Sequence, residues 1–221
     1  MKFNNNYEHY SFDLWMTIIR SNPNFKPQRT ELLKNVFSLD KTTEEIDSVI
    51  RYYDNLFNTI SEKTGNHIER EEVFMLILDK LGIDIRDISI DDLKLFFEKS
   101  DALFVENVPL VIWEDIHDFL GKIKDNGKTA SILSNTAFIH GDSIRKVLKK
   151  LELDSYFSFM IFSDEVGISK PNFEIFEYLY KNTQQLKTIT KSQIIHIGDN
   201  PVADYQGAKS FGIAAELVKF N

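Results

Sequence analysis

The sequence predicts an α/β protein: a doubly wound, Rossmann-like parallel sheet interrupted by an all-helical insert. Three observations predict it. From Pro109 onward, short β-branched and aromatic runs alternate with helical patterns, and such alternation builds βαβ units around a parallel sheet. Between about Gln28 and Glu106, apolar residues recur at helical spacing with little period-2 alternation. The polar residues with chemistry to offer, Asp13, Ser134, Lys170, Asp199 and Asp204, stand at or near the ends of the β-type runs. Parallel sheets bind their ligands at the carboxyl ends of strands.

The elements follow in order. Tyr10 to Trp15 is an apolar run broken by one carboxylate, Asp13, and reads as a buried strand. Arg20 to Pro27 holds Pro23 and Pro27 and reads as a hinge or boundary. Four helices are expected next. They carry Leu32, Leu33, Val36 and Phe37; then Ile46 through Ile60; then Val73, Leu76, Ile77 and Leu78, ending near Gly82; then Leu93, Phe96, Phe97 and Leu103. A helix with Trp113, Ile116, Leu120 and Ile123 stops at Asn126-Gly127. Thr129 to Leu133 is a strand ending in Ser134-Asn135, followed by a helix with Ile144, Val147, Leu148 and Leu151. Tyr156 to Phe162 is a further strand run. Pro171 opens a helix at its first position, with Phe173, Phe176 and Leu179 on one face. Gln193 to Ile197 is a strand ending in Gly198-Asp199, Pro201 opens another helix, and Ile213 to Val218 is the last apolar run. The expected division is a core of residues 1–20 plus 107–221 and a helical domain of residues 21–106.

Composition narrows the function. A chain of 221 residues is one domain, or a core with a sizeable insert, and buries about 70% of its unfolded surface without disulfides. It has no cysteine, which rules out thiol catalysis, Cys-ligated zinc and iron–sulfur clusters, and fits a reducing compartment. Lys+Arg 26 against Asp+Glu 34 leaves a net charge of -8, without the basic footprint of a nucleic-acid binder. Met1 to Asn6 has no apolar leader region, and no apolar run approaches the ~18 residues that span a bilayer. A cytoplasmic protein, monomeric or homodimeric, with no nucleic-acid or membrane partner is expected. The five histidines, His9, His67, His117, His140 and His196, show no metal-ligand spacing, so zinc is not expected, and His196 reads as a core histidine. Arg20, His67, Arg70 and Arg86 lie in or near the helical stretch, where a substrate could meet them, although a solvated face is the ordinary reading of each.

Each strand-end residue has an ordinary explanation taken alone: a turn, a helix cap, a solvated charge. Their order changes the reading. Phe12-Asp13-Leu14-Trp15-Met16-Thr17, then Ile132-Leu133-Ser134-Asn135, then Lys170-Pro171, then Ile195-His196-Ile197-Gly198-Asp199-Asn200-Pro201-Val202-Ala203-Asp204 resemble the four motifs of the haloacid dehalogenase-like hydrolase superfamily. The stretch between the first two motifs resembles that family's helical cap of the first type, and the resemblance covers nearly the whole chain.

The resemblance implies Mg²⁺-dependent hydrolysis of a small phosphorylated metabolite. In it, Asp13 is the nucleophile that becomes an aspartyl phosphate. Asp13, the Trp15 backbone carbonyl, Asp199 and Asp204 bind the metal. Ser134, Asn135, Thr17 and Lys170 bind or position the phosphoryl group, and Lys170 also balances the carboxylates. A hard cation with few carboxylates suits that chemistry. One departure stands out. Family phosphatases carry a second aspartate two positions after the nucleophile, as general acid and base, and a glycine next to it; here these are Trp15 and Met16. General acid–base catalysis contributes about 10²–10⁴ in rate, so a slow or substrate-restricted phosphatase is expected. An aromatic residue at that position is also found in the family's metal-free haloacid dehalogenases, in which the aspartate attacks carbon. A dehalogenase and a catalytically weak phospho-ligand binder therefore stand as the alternatives.

Overall fold

A computed structural model describes residues 4–219; Met1–Phe3 of the segment read as leaderless, and the last two residues of the expected core, lie outside the described residues. In chain order the elements are β1 (His9–Phe12), β2 (Ile19–Arg20), α1 (Phe25–Val36), α2 (Thr43–Thr64), α3 (Arg70–Lys80), α4 (Ile90–Glu106), β3 (Leu110–Val111), α5 (Ile116–Asp125), β4 (Thr129–Ser134), α6 (Gly141–Lys150), β5 (Phe159–Phe162), α7 (Ser163–Val166), α8 (Phe173–Leu186), β6 (Ile194–Gly198), α9 (Gly207–Phe211) and β7 (Ala214–Leu217). A π-helical turn, Pro201–Gln206, leads into α9.

The main sheet has five parallel strands in the order β5-β4-β1-β6-β7. β1 is central, and all four of its residues are buried. Helices cover both faces of such a sheet, so its inner strands β1, β4 and β6 are buried along nearly their whole length, and their polar side chains, His9, Ser11, Ser131 and His196, are hydrogen-bonded. β2 and β3 form a separate antiparallel pair, Ile19 opposite Val111 and Arg20 opposite Leu110, where the chain leaves the core and returns.

Between those crossings, α1–α4 build their own apolar cluster around Leu33, Ile50, Phe57, Phe74, Ile77 and Phe96. Burying each such side chain contributes about 1.5–3 kcal/mol. Phe138, from the loop after β4, enters the same cluster and packs 4.9 Å from Phe74 between ring centroids. α2 begins with a capping box, Thr42 and Glu45 each bonding the other's backbone N–H. It ends at Gly65, in the left-handed region at φ 71. Glycine is required twice over, by that φ and because a Cβ there would come within 2.7 Å of the Asn172 Cβ; the Gly65 carbonyl accepts from the Ser169 amide (3.0 Å) and Asn172 Nδ2 (3.2 Å). The adjoining His67 amide donates to the Gly167 carbonyl. The far end of α2 is thus clasped to the core loop that precedes α8.

Three local expectations need correction. The first strand stops at Phe12 rather than running to Trp15. The Asp13 amide still donates to the Ile197 carbonyl, but the chain then turns, with Met16 at φ 59 and its amide on the Ile19 carbonyl. Pro171 does not open α8; Asn172 caps that helix, accepting from the Glu174 amide, which leaves Pro171 outside it. Pro201 does open a helical segment, but one wound with π geometry and capped by Asn200, which accepts from the Val202 and Ala203 amides. Among the described residues, no helix is long and apolar enough to cross a membrane.

Candidate active site

The sheet topology brings the strand-end residues together. β1, β4 and β6 are neighbours in register, so Asp13, Ser134 and Asp199 emerge side by side at their carboxyl ends. Lys170 reaches them from the loop before α8. Its Nζ donates to Asp13 Oδ1 at 2.8 Å and to Asp204 Oδ1 at 2.6 Å, with all three side chains buried. Asp204 is further committed. Its Oδ1 lies 3.1 Å from His196 Nε2, and its Oδ2 accepts from the Asn200 amide at 2.9 Å. Gly198 leaves room for it, since a Cβ there would overlap the Asp204 carboxylate at 2.2 Å.

The charges in this cluster shift one another. Burial pushes the Asp13 carboxyl up to about 6, reinforced by the charges of Asp204 and Asp199 and opposed by Lys170. Burial would also raise Asp204, but the attraction of Lys170 and the hydrogen bond from His196 outweigh it and hold the group below its ordinary value. For Lys170, burial favours loss of the proton, yet Asp13 and Asp204 together raise its pKa, so it stays an ammonium. Burial lowers His196, which is therefore neutral. In that form it donates from Nε2 to Asp204 and accepts the Ser11 hydroxyl at Nδ1, 2.9 Å away. His196 is a core histidine as expected, and it also steadies the carboxylate that steadies Lys170.

Three carboxylates against one ammonium leave an excess of two negative charges in a mostly buried cluster. Ligand oxygens of Asp13, Asp199 and Asp204 lie within 4.8 Å of one another. An all-oxygen donor set with that excess fits a hard divalent cation. Because both oxygens of Asp204 already face protein donors, the oxygens left to hold a cation belong chiefly to Asp13 and Asp199.

Other expected residues take supporting places. Ser134 is fully buried, with Oγ 3.4 Å from Asp13 Oδ1. The Asn135 side chain clasps the backbone of Lys170 from both sides: its Oδ1 accepts from the Lys170 amide (2.7 Å) and its Nδ2 donates to the Lys170 carbonyl (2.9 Å). Thr17, expected to bind substrate, is instead fully buried, with Oγ1 3.5 Å from Asp199 Oδ1. Like Ser134, it is not among the residues that line the cavity, and its hydroxyl bonds the Asp199 carboxylate. Trp15 lines the cavity and packs on Phe104 of α4, 5.9 Å between ring centroids.

Above this floor lies a cavity of about 970 Å³, large enough for a small metabolite. Asp13, Asn135, Lys170, Asp199 and Asp204 line it from the core and Arg20 from β2; Lys26, Arg29, Asn58 and Glu62 line it from the helical side. Glu62 bridges the two, accepting from Asn200 Nδ2 at 3.0 Å. Of the four cationic candidates in or near the helical stretch, Arg20 alone reaches the cavity. His67 bonds Ser163, Arg70 is held by Asp101 over the Phe97 ring, and Arg86 pairs with Asp84 at the surface. Arg29 was not singled out from the sequence. Its spacing did not mark it: the i, i+4 stripe with Phe25 and Leu33 is equally that of a solvated arginine beside an apolar face. Three side chains also meet where sequence spacing showed no metal pattern, since Glu69, Glu71 and His140 converge in space; they do not line the cavity.

Comparison with known proteins agrees with this architecture. The family model for haloacid dehalogenase-like hydrolases matches residues 7–212. An uncharacterized hydrolase of Schizosaccharomyces pombe is 27% identical over 180 residues, covering 77% of this chain and 74% of that protein. Other curated relatives, phosphatases and dehalogenases among them, are matched over 27% to 49% of their own length. A magnesium-bound hydrolase of the family from Bacillus subtilis superposes with a TM-score of 0.68 at 20% identity, covering 95% of this chain and 87% of that one. The L-2-haloacid dehalogenase of Xanthobacter autotrophicus superposes with a TM-score of 0.63 at 15% identity, covering 96% and 77%. A family model spanning all four strand-end motifs, on a sheet that gathers them at one edge, identifies the chain as a haloacid dehalogenase-like hydrolase.

Proposed function

We propose that the protein hydrolyses a small phosphorylated metabolite in a Mg²⁺-dependent reaction, through a covalent phosphoryl group on Asp13, with residues 21–106 acting as the cap over the site. The observation that carries this reading is the buried Asp13–Lys170–Asp204 triad beside Asp199. In a metal-free dehalogenase site, Asp199 would be one more repelling carboxylate. Beside a cation it is an asset.

Asp13 and Asp199 would hold the ion, which when bound neutralises phosphoryl oxygens and draws negative charge toward Asp13. The Asp13 carboxylate then attacks phosphorus, and the bond to the leaving oxygen breaks. Lys170 holds the attacking carboxylate in place and offsets the charge that gathers on the phosphoryl group. Water cleaves the aspartyl phosphate in a second step, releasing inorganic phosphate and restoring the carboxylate. The Trp15 indole N–H is far too weak an acid to protonate the leaving group, so the reading favours substrates whose leaving group needs no proton, such as acyl phosphates. The aromatic Trp15 also favours a second reading, attack of Asp13 on carbon with release of halide.

The deciding experiment is phosphate release from acetyl phosphate and from an aryl phosphate, with and without Mg²⁺, for the wild type and Asp13→Asn. Mg²⁺-dependent release that disappears in the variant is expected, with acetyl phosphate preferred. Absence of release from a folded protein that binds Mg²⁺ would instead indicate a phospho-ligand binder. Halide release from a 2-haloacid without metal would establish the second reading.

A further inference from the structure

The cavity roof holds a charge that the phosphoryl chemistry does not use. Arg29, on α1, is only 4% exposed yet lines the cavity. Among the described residues its Nε donates to nothing. The carboxylates whose charge it feels are Asp54 and Asp47. Neither forms an ion pair with it, since Asp47 pairs with Arg51 and the Asp54 side chain bonds Asn58. What does hold the guanidinium is aromatic: its carbon lies 5.5 Å from the Phe25 ring centroid and 5.2 Å from that of Phe138. A buried cation with no carboxylate in ion-pair contact is costly, even with Asp54 lining the same cavity, and an arriving anion would offset that cost. Rings that fix the plane of the guanidinium also fix the direction of its donor fork, which suits a planar or tetrahedral oxyanion. Lys26 and Arg20 line the same cavity and add positive charge.

We propose that Arg29 docks a second, non-reacting anionic group of the substrate, a carboxylate or a phosphate at the end remote from the phosphoryl group that Asp13 attacks. This rests on the phosphoryl reading above and specifies its substrate class: a small phosphorylated acid or a bisphosphate, not a neutral phosphate ester such as an alcohol's. Phe138 follows the phosphate-site loop of Ser134 and Asn135, so the two ends of such a substrate would be read by connected pieces of backbone.

Binding of non-hydrolysable probes tests this without turnover. Calorimetry with Mg²⁺ present would compare methylphosphonate, phosphonoacetate and methylenebisphosphonate on the wild type, Arg29→Met and Arg29→Lys. The wild type should bind one or both of the dianionic-headed probes about 10- to 100-fold more tightly than methylphosphonate, the range expected of charge-assisted hydrogen bonds. Preference for phosphonoacetate identifies a carboxylate as the remote group; preference for the bisphosphonate identifies a phosphate. The preference should vanish in Arg29→Met, which keeps the aromatic packing filled, and survive in part in Arg29→Lys, which keeps the charge but loses the fork. Equal binding of all three probes by the wild type, or a preference that persists in Arg29→Met, overturns the inference and leaves the phosphoryl reading intact. No binding of any phosphonate overturns both.

Discussion

The two sides of the cavity handle charge in opposite ways. On the core side every buried charge has protein partners: Lys170 lies between Asp13 and Asp204, and Asp204 is held again by His196 and the Asn200 amide. On the helical side Arg29 is equally buried, but it lies over the Phe25 and Phe138 rings, and among the described residues no carboxylate forms an ion pair with it. The core side is set up in advance for one kind of chemistry, whichever molecule arrives. The helical side is incomplete until a ligand arrives. On the proposed reading, reaction type and substrate choice fall to different parts of the chain, and the roof could vary without disturbing the floor.

The largest effect should come from breaking the floor. Lys170→Met leaves Asp13 and Asp204 facing each other without a counter-charge. Removing one partner from a buried ion pair costs about 3–5 kcal/mol, readable as a lower urea midpoint, and loss of a preorganised cation should slow phosphate release on the order of 10²–10³-fold. A loss of only about 0.5 kcal/mol, typical of a surface pair, would mean the floor is not the coupled unit described.

Next comes a control from the far end of the sheet. His9, at the start of β1, is buried between the Thr129 and Ser131 hydroxyls, and burial pushes its pKa down to about 3. The folded imidazole stays neutral while the unfolded one takes up a proton below about pH 6.5. Its contribution to stability is therefore complete above that pH and is lost as pH falls toward 3, at about 1.4 kcal/mol per pH unit, or about 3 kcal/mol by pH 4. Denaturation midpoints measured from pH 7 to 4 should fall less steeply for His9→Asn than for the wild type. Equal slopes would place the acid sensitivity elsewhere, in the floor carboxylates first.

A smaller effect, and a gain, is expected from restoring the missing acid. Trp15→Asp with Met16→Gly should raise turnover of alkyl phosphates by about 10- to 100-fold, the lower part of what general acid–base catalysis provides. If a folded, Mg²⁺-binding double variant shows no gain, the placement of Trp15 beside the reacting groups is wrong. The smallest effect belongs to Met16→Gly alone. Met16 is 54% exposed and sits at φ 59, where a side chain costs about 1–2 kcal/mol; part of that is offset by the freer unfolded chain. A thermal-denaturation gain of about 0.5–1 kcal/mol is expected.

The contrast between floor and roof also explains what could be read from the sequence. Asp13, Ser134, Lys170, Asp199 and Asp204 could be placed because a parallel sheet delivers strand ends to one edge, and strand ends are visible as apolar runs that stop. Arg29 could not, because only packing decides which stripe of α1 faces inward; its spacing from Phe25 is equally that of a solvated arginine on an exposed turn. Thr17 shows the same dependence on packing. It belongs to a recognisable motif, and the turn at Met16 brings its hydroxyl to the Asp199 carboxylate. Local motifs were legible, and the faces they present depended on contacts distant in the chain.

The clasp at Gly65 bears on how the cavity exchanges its contents. The helical part is joined to the core by two covalent crossings, at β2 and β3, and by contacts that include the hydrogen bonds from the Ser169 and His67 amides, the Asn172 and Asn200 side-chain bonds to Gly65 and Glu62, and the packing of Phe138. Swinging the helices away as one body must break the two hydrogen bonds from those amides, whereas bending within α1 or α2 leaves them closed. The two amides are thus built-in reporters of opening. Fast deuterium uptake there describes a hinge, and slow uptake at Ser169 and His67 beside fast uptake at the start of α1 describes a flap.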